Sequence, residues 1–353
     1  MGNWGVVVGS VAAILLILVS LAVVDARMLP AAPWVRSLVV SLSCGSTGVV
    51  SWLVLAPALV PNVADPLFLP VAALGGVASY LATIAVRAGG GGVVVTLLFG
   101  VVWSLLVYVP TAASTFAPSS TGWPLDINPV DHGGSLAVNV ATGAAAVGVL
   151  LCGGPRLRTA TISRTAGLVG VVGLCSGWLL WLAAAESAVD DASAAILANG
   201  AIGGAGGVVG WLVSQRIMHR SVTLNSVAAG LVSGLVAVTA GAPLFTPVSA
   251  AATGVLAGGA ACIFTLSRVG TTRRQQWFVV GVHLVAGAMG SVLLGLLATN
   301  MGFLFTGSVT LIVDQILGTI IVAGYSAVIS VLLWLSLRTG AGVVAGAKVR
   351  AAR

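Results

Sequence analysis

Charge is the scarcest commodity in this chain. Of 353 residues only 7% are Asp, Glu, Lys or Arg, against 58% hydrophobic ones. A water-soluble domain carries roughly 25% charged residues, so 15 basic and 8 acidic side chains cannot cover a solvated surface. The same apolar excess rules out a disordered chain. Cysteine is also sparse. Cys44, Cys152, Cys175 and Cys262 lie within or at the ends of apolar runs with no CxxC pair, which excludes a disulfide framework and a zinc site and leaves them as small buried hydrophobes. Aromatics are only 6% of the chain. HExxH, P-loop and GxSxG signatures with a partnered base are missing, as are paired intramembrane aspartates, so the chain does not read as an enzyme. What remains is an all-α polytopic membrane protein. The apolar runs are uninterrupted, whereas a membrane β-barrel needs apolar–polar alternation. The 47 glycines suit close helix packing in lipid.

A bilayer core takes about 20 apolar residues per helix. Eleven such spans are predicted, at 5–24, 37–60, 67–86, 93–113, 132–153, 166–186, 194–214, 224–241, 247–267, 277–299 and 308–337. The first has no basic flank before it and is kept as a helix, not a signal peptide. With this count every basic residue falls on alternate loops: Arg27 and Arg36, Arg87, then Arg156, Arg158 and Arg164, then Arg216 and Arg220, then Arg268, Arg273 and Arg274, and finally Arg338, Lys348, Arg350 and Arg353. By the positive-inside rule that side is cytoplasmic, which puts the N-terminus outside, the C-terminus inside and the protein in the cell membrane as a multi-pass chain. The net charge of +7 is therefore a topology signal, and no nucleic-acid partner is expected. Asp65, Asp126, Asp131, Glu186, Asp190 and Asp191 fall on the outer side. They either solvate loops or draw cations toward that face.

Residues 1–337 form the predicted transmembrane domain, followed by a short basic cytoplasmic tail at 338–353. Asn139 stands four residues before Gly143 in span 5, and His283 four before Gly287 in span 10. Spans 1–5 (about 1–153) and 6–10 (about 166–299) thus read as two five-helix repeats, with helix 11 at about 308–337 outside them. Because five is odd, the second repeat is inverted, and the working site is expected where the halves meet.

Polar groups at membrane depth are functional candidates. With no charge near it in sequence, His283 is expected as a neutral imidazole, one donor and one acceptor. Asn139 offers the same pair of functions. Either residue could instead only tie helices together. Asp131, before Gly133 and Gly134, is placed to cap span 5. His132 reads as an interfacial residue, His219 as a solvated loop residue, and Asp314 as a helix-11 start. Phe116 is placed in the outer loop after span 4, and Trp178 and Trp181 toward the outer end of span 6. These rings serve either as headgroup anchors or as π faces for a small cation.

The stretch Asp131-His-Gly-Gly-Ser-Leu-Ala-Val-Asn139-Val-Ala-Thr-Gly143 resembles the helix-5 motif of the ammonium transporter family, which includes the methylammonium permeases and is related to the Rh proteins. Phe278-Val-Val-Gly-Val-His283-Leu-Val-Ala-Gly287 is similar to its helix-10 segment, and Gly234-Leu-Val-Ala-Val-Thr239 to the segment between them. Val101-Val-Trp103 with Tyr108-Val-Pro110 resembles its helix 4, and Gly177-Trp178 with Trp181 its helix 6. The resemblance implies the ammonium-transporter fold, a homotrimer with one pore per subunit, no prosthetic group, and passage of ammonium or ammonia. It puts Phe116, Trp181 and Ala185 in the outer vestibule, Asp131 at the structural aspartate, and Asn139 and His283 along the pore. Asn139 stands where the family has a first pore histidine, and Ala185 where it has a serine. The short basic tail lacks the family's acidic stretch, which speaks against a PII-type regulator. The alternatives on the same fold are a non-conducting ammonium sensor and a neutral-gas channel for ammonia or carbon dioxide.

Overall fold

The computed structural model describes residues 4–28, 34–60, 62–117, 122–153, 164–267 and 274–351. Arg156, Arg158, Arg268, Arg273 and Arg353 lie outside the described residues, as do the side chains of Arg27, Arg36, Arg164, Arg274, Lys348 and Arg350. The described chain is helical, in the order α1 (Trp4–Met28), α2 (Trp34–Leu59), α3 (Phe68–Ala88), α4 (Val93–Phe116), α5 (Ser135–Leu151), α6 (Arg164–Ala184), α7 (Asp191–Ile217), α8 (Leu224–Val238) and α9 (Pro247–Ser267). Then come α10, in three consecutive pieces (Arg274–Val279, Val280–Val285, Ala286–Leu297), and α11 (Thr310–Ala351). Among the described residues nine of these are long and apolar enough to cross a membrane, while α5 and α8 are shorter apolar helices. Large apolar side chains such as Val54, Val94, Val169, Val172, Ile217 and Leu332 point outward and are more than half exposed, as expected of a lipid-facing surface and not of a soluble one.

The short helices are short for a local reason. Before α5, Gly134 takes φ +79, a left-handed conformation that breaks the helix. After α8, Thr239 to Gly241 turn into a single 3₁₀ turn at Ala242–Leu244. The two breaks satisfy each other. The His132 N–H donates to the Ala240 carbonyl at 2.9 Å and the Gly133 N–H to the Thr239 carbonyl at 3.0 Å. Backbone that is not helical is tolerated at this depth because protein surrounds it. The predicted spans 132–153 and 224–241 therefore overran the helices by a few residues. The final helix errs the other way and continues beyond 337, through most of the stretch read as a tail, to Ala351.

Small residues set the packing. Gly48 of α2 presses on the backbone of Gly75 in α3, and Gly207 of α7 on that of Gly234 in α8. The members of the first pair precede their counterparts by equal numbers of residues, and each of Gly48 and Gly207 is followed one turn later by a buried tryptophan, Trp52 and Trp211. Between the two sets, α1 and α6 cross at Gly177, which lies against Ala13 and Ile17. At one end of the bundle an Arg338 N–H donates to the carbonyls of Cys152 and Gly153, both at 3.0 Å, while the guanidinium lies 5.6 Å from the Trp334 ring. A cation at the last turn of α5 complements its free carbonyls. Arg87 bonds Ser41, and Gly89 packs on Trp334. These contacts place both arginines at the end where α3 and α5 finish.

Candidate functional site

Among the described residues three stretches depart from α-helix geometry into π-helix: Ser104–Tyr108 in α4, Ser135–Val140 in α5 and Val280–Val285 in α10. The first precedes Pro110, which has no N–H to offer. The other two carry Asn139 and His283. Such bulges re-aim side chains and concentrate at working sites. Here they bring the two polar groups together in the interior. His283 Nδ1 lies 2.9 Å from Asn139 Oδ1, 144 positions apart in sequence, and the two residues are 6% and 1% exposed. An amide oxygen only accepts, so Nδ1–H donates and Nε2 is left as the imidazole acceptor. No described residue hydrogen-bonds Nε2, and the Asn139 amide N–H group is likewise not committed to a described acceptor.

The crossing is close because two glycines make room for it. A Cβ on Gly143 would lie 2.5 Å from the Leu284 backbone nitrogen, and one on Gly287 would lie 3.2 Å from Val140 and 3.5 Å from the Asn139 Cβ. Val140 and Leu284 follow Asn139 and His283 directly, so each glycine receives the residue after the opposite polar group.

Asp131 is 8% exposed, and its two carboxylate oxygens accept the N–H groups of Ser135 at 2.6 Å and Leu136 at 2.7 Å. It therefore satisfies two of the free donors at the start of α5. Trp181 is 1% exposed and donates its ring N–H to the Gly133 carbonyl at 3.1 Å. Trp178 donates to Thr239 Oγ1 at 2.9 Å. Phe116 is the last residue of α4 and not part of a loop. It is half-buried, with its ring against Gly134. Phe116 and Trp181 thus meet adjacent residues of the loop before α5. Ala185 follows α6 and is 9% exposed. His132 is half-buried, and its Nε2–H donates to the Leu182 carbonyl at 2.8 Å. His219 is exposed in its turn, as read. Asp314 sits one turn inside α11, whose start is held instead by Ser308, which accepts from the Thr310 N–H.

A profile of the Ammonium Transporter Family matches residues 36–344. The chain belongs to the ammonium transporter family. Ammonium transporters of Mycobacterium tuberculosis (strain H37Rv) and Bacillus subtilis (strain 168) are similar to it, at 29% identity over 270 residues and 28% over 234. The matched stretches take in 70% and 62% of this chain but 57% and 56% of those relatives, so the chain spans little more than half the length of the curated relatives it matches. The crystal structure of Saccharomyces cerevisiae Mep2 shares the fold, with a TM-score of 0.79 at 17% identity over 95% of this chain and 87% of that one.

Several buried polar groups of this family member were not singled out from its sequence. Gln315 in α11 is fully buried, accepts from Ser291 at 3.0 Å and donates to the Val130 carbonyl at 2.7 Å. The Asn199 amide in α7 donates to the carbonyls of Ala242 and Phe245 at 2.9 and 2.7 Å. Ser326 donates to the Ala141 carbonyl and accepts from the Trp103 ring. Asn199 is a lone amide inside a long apolar run, the same signal that drew notice to Asn139.

Proposed function

We propose that this protein carries ammonium or ammonia across the cell membrane through one apolar conduit at the Asn139–His283 pair. The observation that carries the reading is the buried 2.9 Å hydrogen bond between side chains on the two π-helical stretches. In this reading all eleven helices span the bilayer, as two inverted five-helix repeats plus α11, with the N-terminus outside, the C-terminus cytoplasmic and three copies in the assembly. The equal spacing of the Gly48–Gly75 and Gly207–Gly234 contacts supports the repeats. Phe116, Trp181 and Ala185 form the outer recruiting site, and Asp131 organises the entrance to α5.

A bare ammonium ion is costly to desolvate in such a conduit. Neutral ammonia is not, and it can donate to the free Nε2 of His283 while accepting from the Asn139 amide. The amide at 139 does not titrate near neutral pH, so a proton cannot be relayed across the pair as between two imidazoles. Ala185 offers no hydroxyl at the outer site, which lowers recruitment of the ion by about 1 kcal/mol. The protein therefore passes ammonia while coupled proton movement is impaired.

Proteoliposomes test this through paired measurements, internal pH by stopped flow and charge by solid-supported-membrane current. Ammonia flux above that of protein-free vesicles, with little matching current, is the expected result. Saturable methylammonium binding with neither flux nor current would overturn the reading in favour of a non-conducting sensor.

A further inference from the structure

The loop from Pro129 to Gly134 holds the entrance to α5, and three other elements hydrogen-bond to it. Two of them have been described: the end of α8 at Thr239 and Ala240, and α6 at Trp181 and Leu182. The third is α11. Pro129 packs on Gly318, and one turn earlier Gln315 donates Nε2–H to the carbonyl of Val130, the residue directly before Asp131. The other end of the same amide, Oε1, accepts the hydroxyl of Ser291 on α10, about two turns beyond His283. Gly295, one turn past Ser291, allows this because its absent Cβ would lie 2.6 Å from the Ile312 Cα. Gln315 and Ser291 are both fully buried. A single amide thus spans the two elements that bear the polar pair, through α10 to His283 and through Val130 and the Asp131 cap to Asn139.

We infer that Gln315 is a positioning residue for the conduit, setting the α5 entrance against α10 so that Asn139 meets His283. This inference rests on the transport reading for its activity readout, although the geometry it invokes is independent of transport. The job requires a donor toward Val130 and an acceptor toward Ser291 in one side chain. Leucine supplies neither. A carboxylic acid supplies both, but a carboxylate loses the donor.

Gln315→Leu and Gln315→Glu, each with the full chain in proteoliposomes, are therefore the informative variants. Gln315→Leu is expected to lower turnover about tenfold at every pH with a smaller change in apparent KM, since Gln315 hydrogen-bonds Val130 and Ser291 and none of Phe116, Trp181 and Ala185. Gln315→Glu is expected to match wild type in acid and to fall to the leucine level as pH rises. The other titratable groups near this point, Asp131 and His132 in the loop and Asp314 on α11, are present in all three proteins, and Gln315→Leu reports their own pH dependence without a carboxyl at 315. Hydrogen exchange, read by mass spectrometry, gives the same comparison without transport. Amides of 130–140 should lose protection in Gln315→Leu, and in Gln315→Glu only at high pH, with those of α3 unchanged. If wild type moves no ammonia but these exchange differences hold, the transport reading fails and the positioning role stands. Wild-type exchange in Gln315→Leu, or a Gln315→Glu response with no pH dependence, would overturn the positioning role.

Discussion

Gly143 meets the backbone of Leu284 where α5 crosses α10, and a side chain at 143 has nowhere to go: its Cβ would lie 2.5 Å from the Leu284 nitrogen. The contact is to backbone, so it cannot be relieved by a rotamer change. Gly143→Ala should destabilise the protein by about 2 kcal/mol or more. The control is Gly9→Ala in α1, where a Cβ would meet nothing within 4 Å and helix propensity alone should leave stability equal or slightly higher. Thermal unfolding in detergent reads both.

Asp131 accepts two backbone donors with its two oxygens. Hydrogen bonds to a charged acceptor contribute about 1.5–3 kcal/mol each. Asp131→Ala leaves both donors unpaired and should cost several kcal/mol, whereas Asp131→Asn keeps one acceptor oxygen and should cost roughly half as much. Equal melting temperatures for Asp131→Ala and wild type would remove the cap from the account.

The Asn139–His283 bond joins an amide to an imidazole. Replacing Asn139 by His puts a second titratable ring in its place. On the proposed function, Asn139→His should raise the ammonium-dependent current well above the little expected of wild type, since a proton can then pass between rings. Solid-supported-membrane recordings on the two proteins decide it, and equal currents would contradict the idea that position 139 limits proton transfer.

Ala185 lies at the end of α6, one turn past the buried Trp181. Ala185→Ser adds a hydroxyl at the proposed outer site. A gain of about 1 kcal/mol corresponds to roughly a fivefold lower half-saturation for methylammonium. An unchanged half-saturation would mean that residue 185 does not touch the substrate.

Much of this architecture was legible in the sequence, and the misses have physical causes. Hydropathy located the helices because a bilayer demands long apolar runs, and Asn139 and His283 stood out because polar groups are rare within them. Hydropathy could not see that Gly133, Gly134 and the stretch after Val238 leave the helix, since small apolar residues score alike in helix and turn. It was equally blind to the π-helical stretches, which change register without changing composition. Phe116 read as a loop residue because the apolar run fades before α4 does. Gln315 escaped because it follows Asp314 near the start of a span, where polar residues ordinarily mark a helix end. Only packing shows that one of the two neighbours is buried while the other is not.

In the proposed function ammonia passes the imidazole of His283. Stopped-flow pH traces on proteoliposomes test this passage, with wild type compared to His283→Leu, which keeps bulk but loses both ring nitrogens. Wild type should alkalinise the vesicle interior faster than protein-free vesicles, and His283→Leu should fall back to the protein-free rate. A wild-type trace that matches empty vesicles, or a His283→Leu trace that matches wild type, would contradict it.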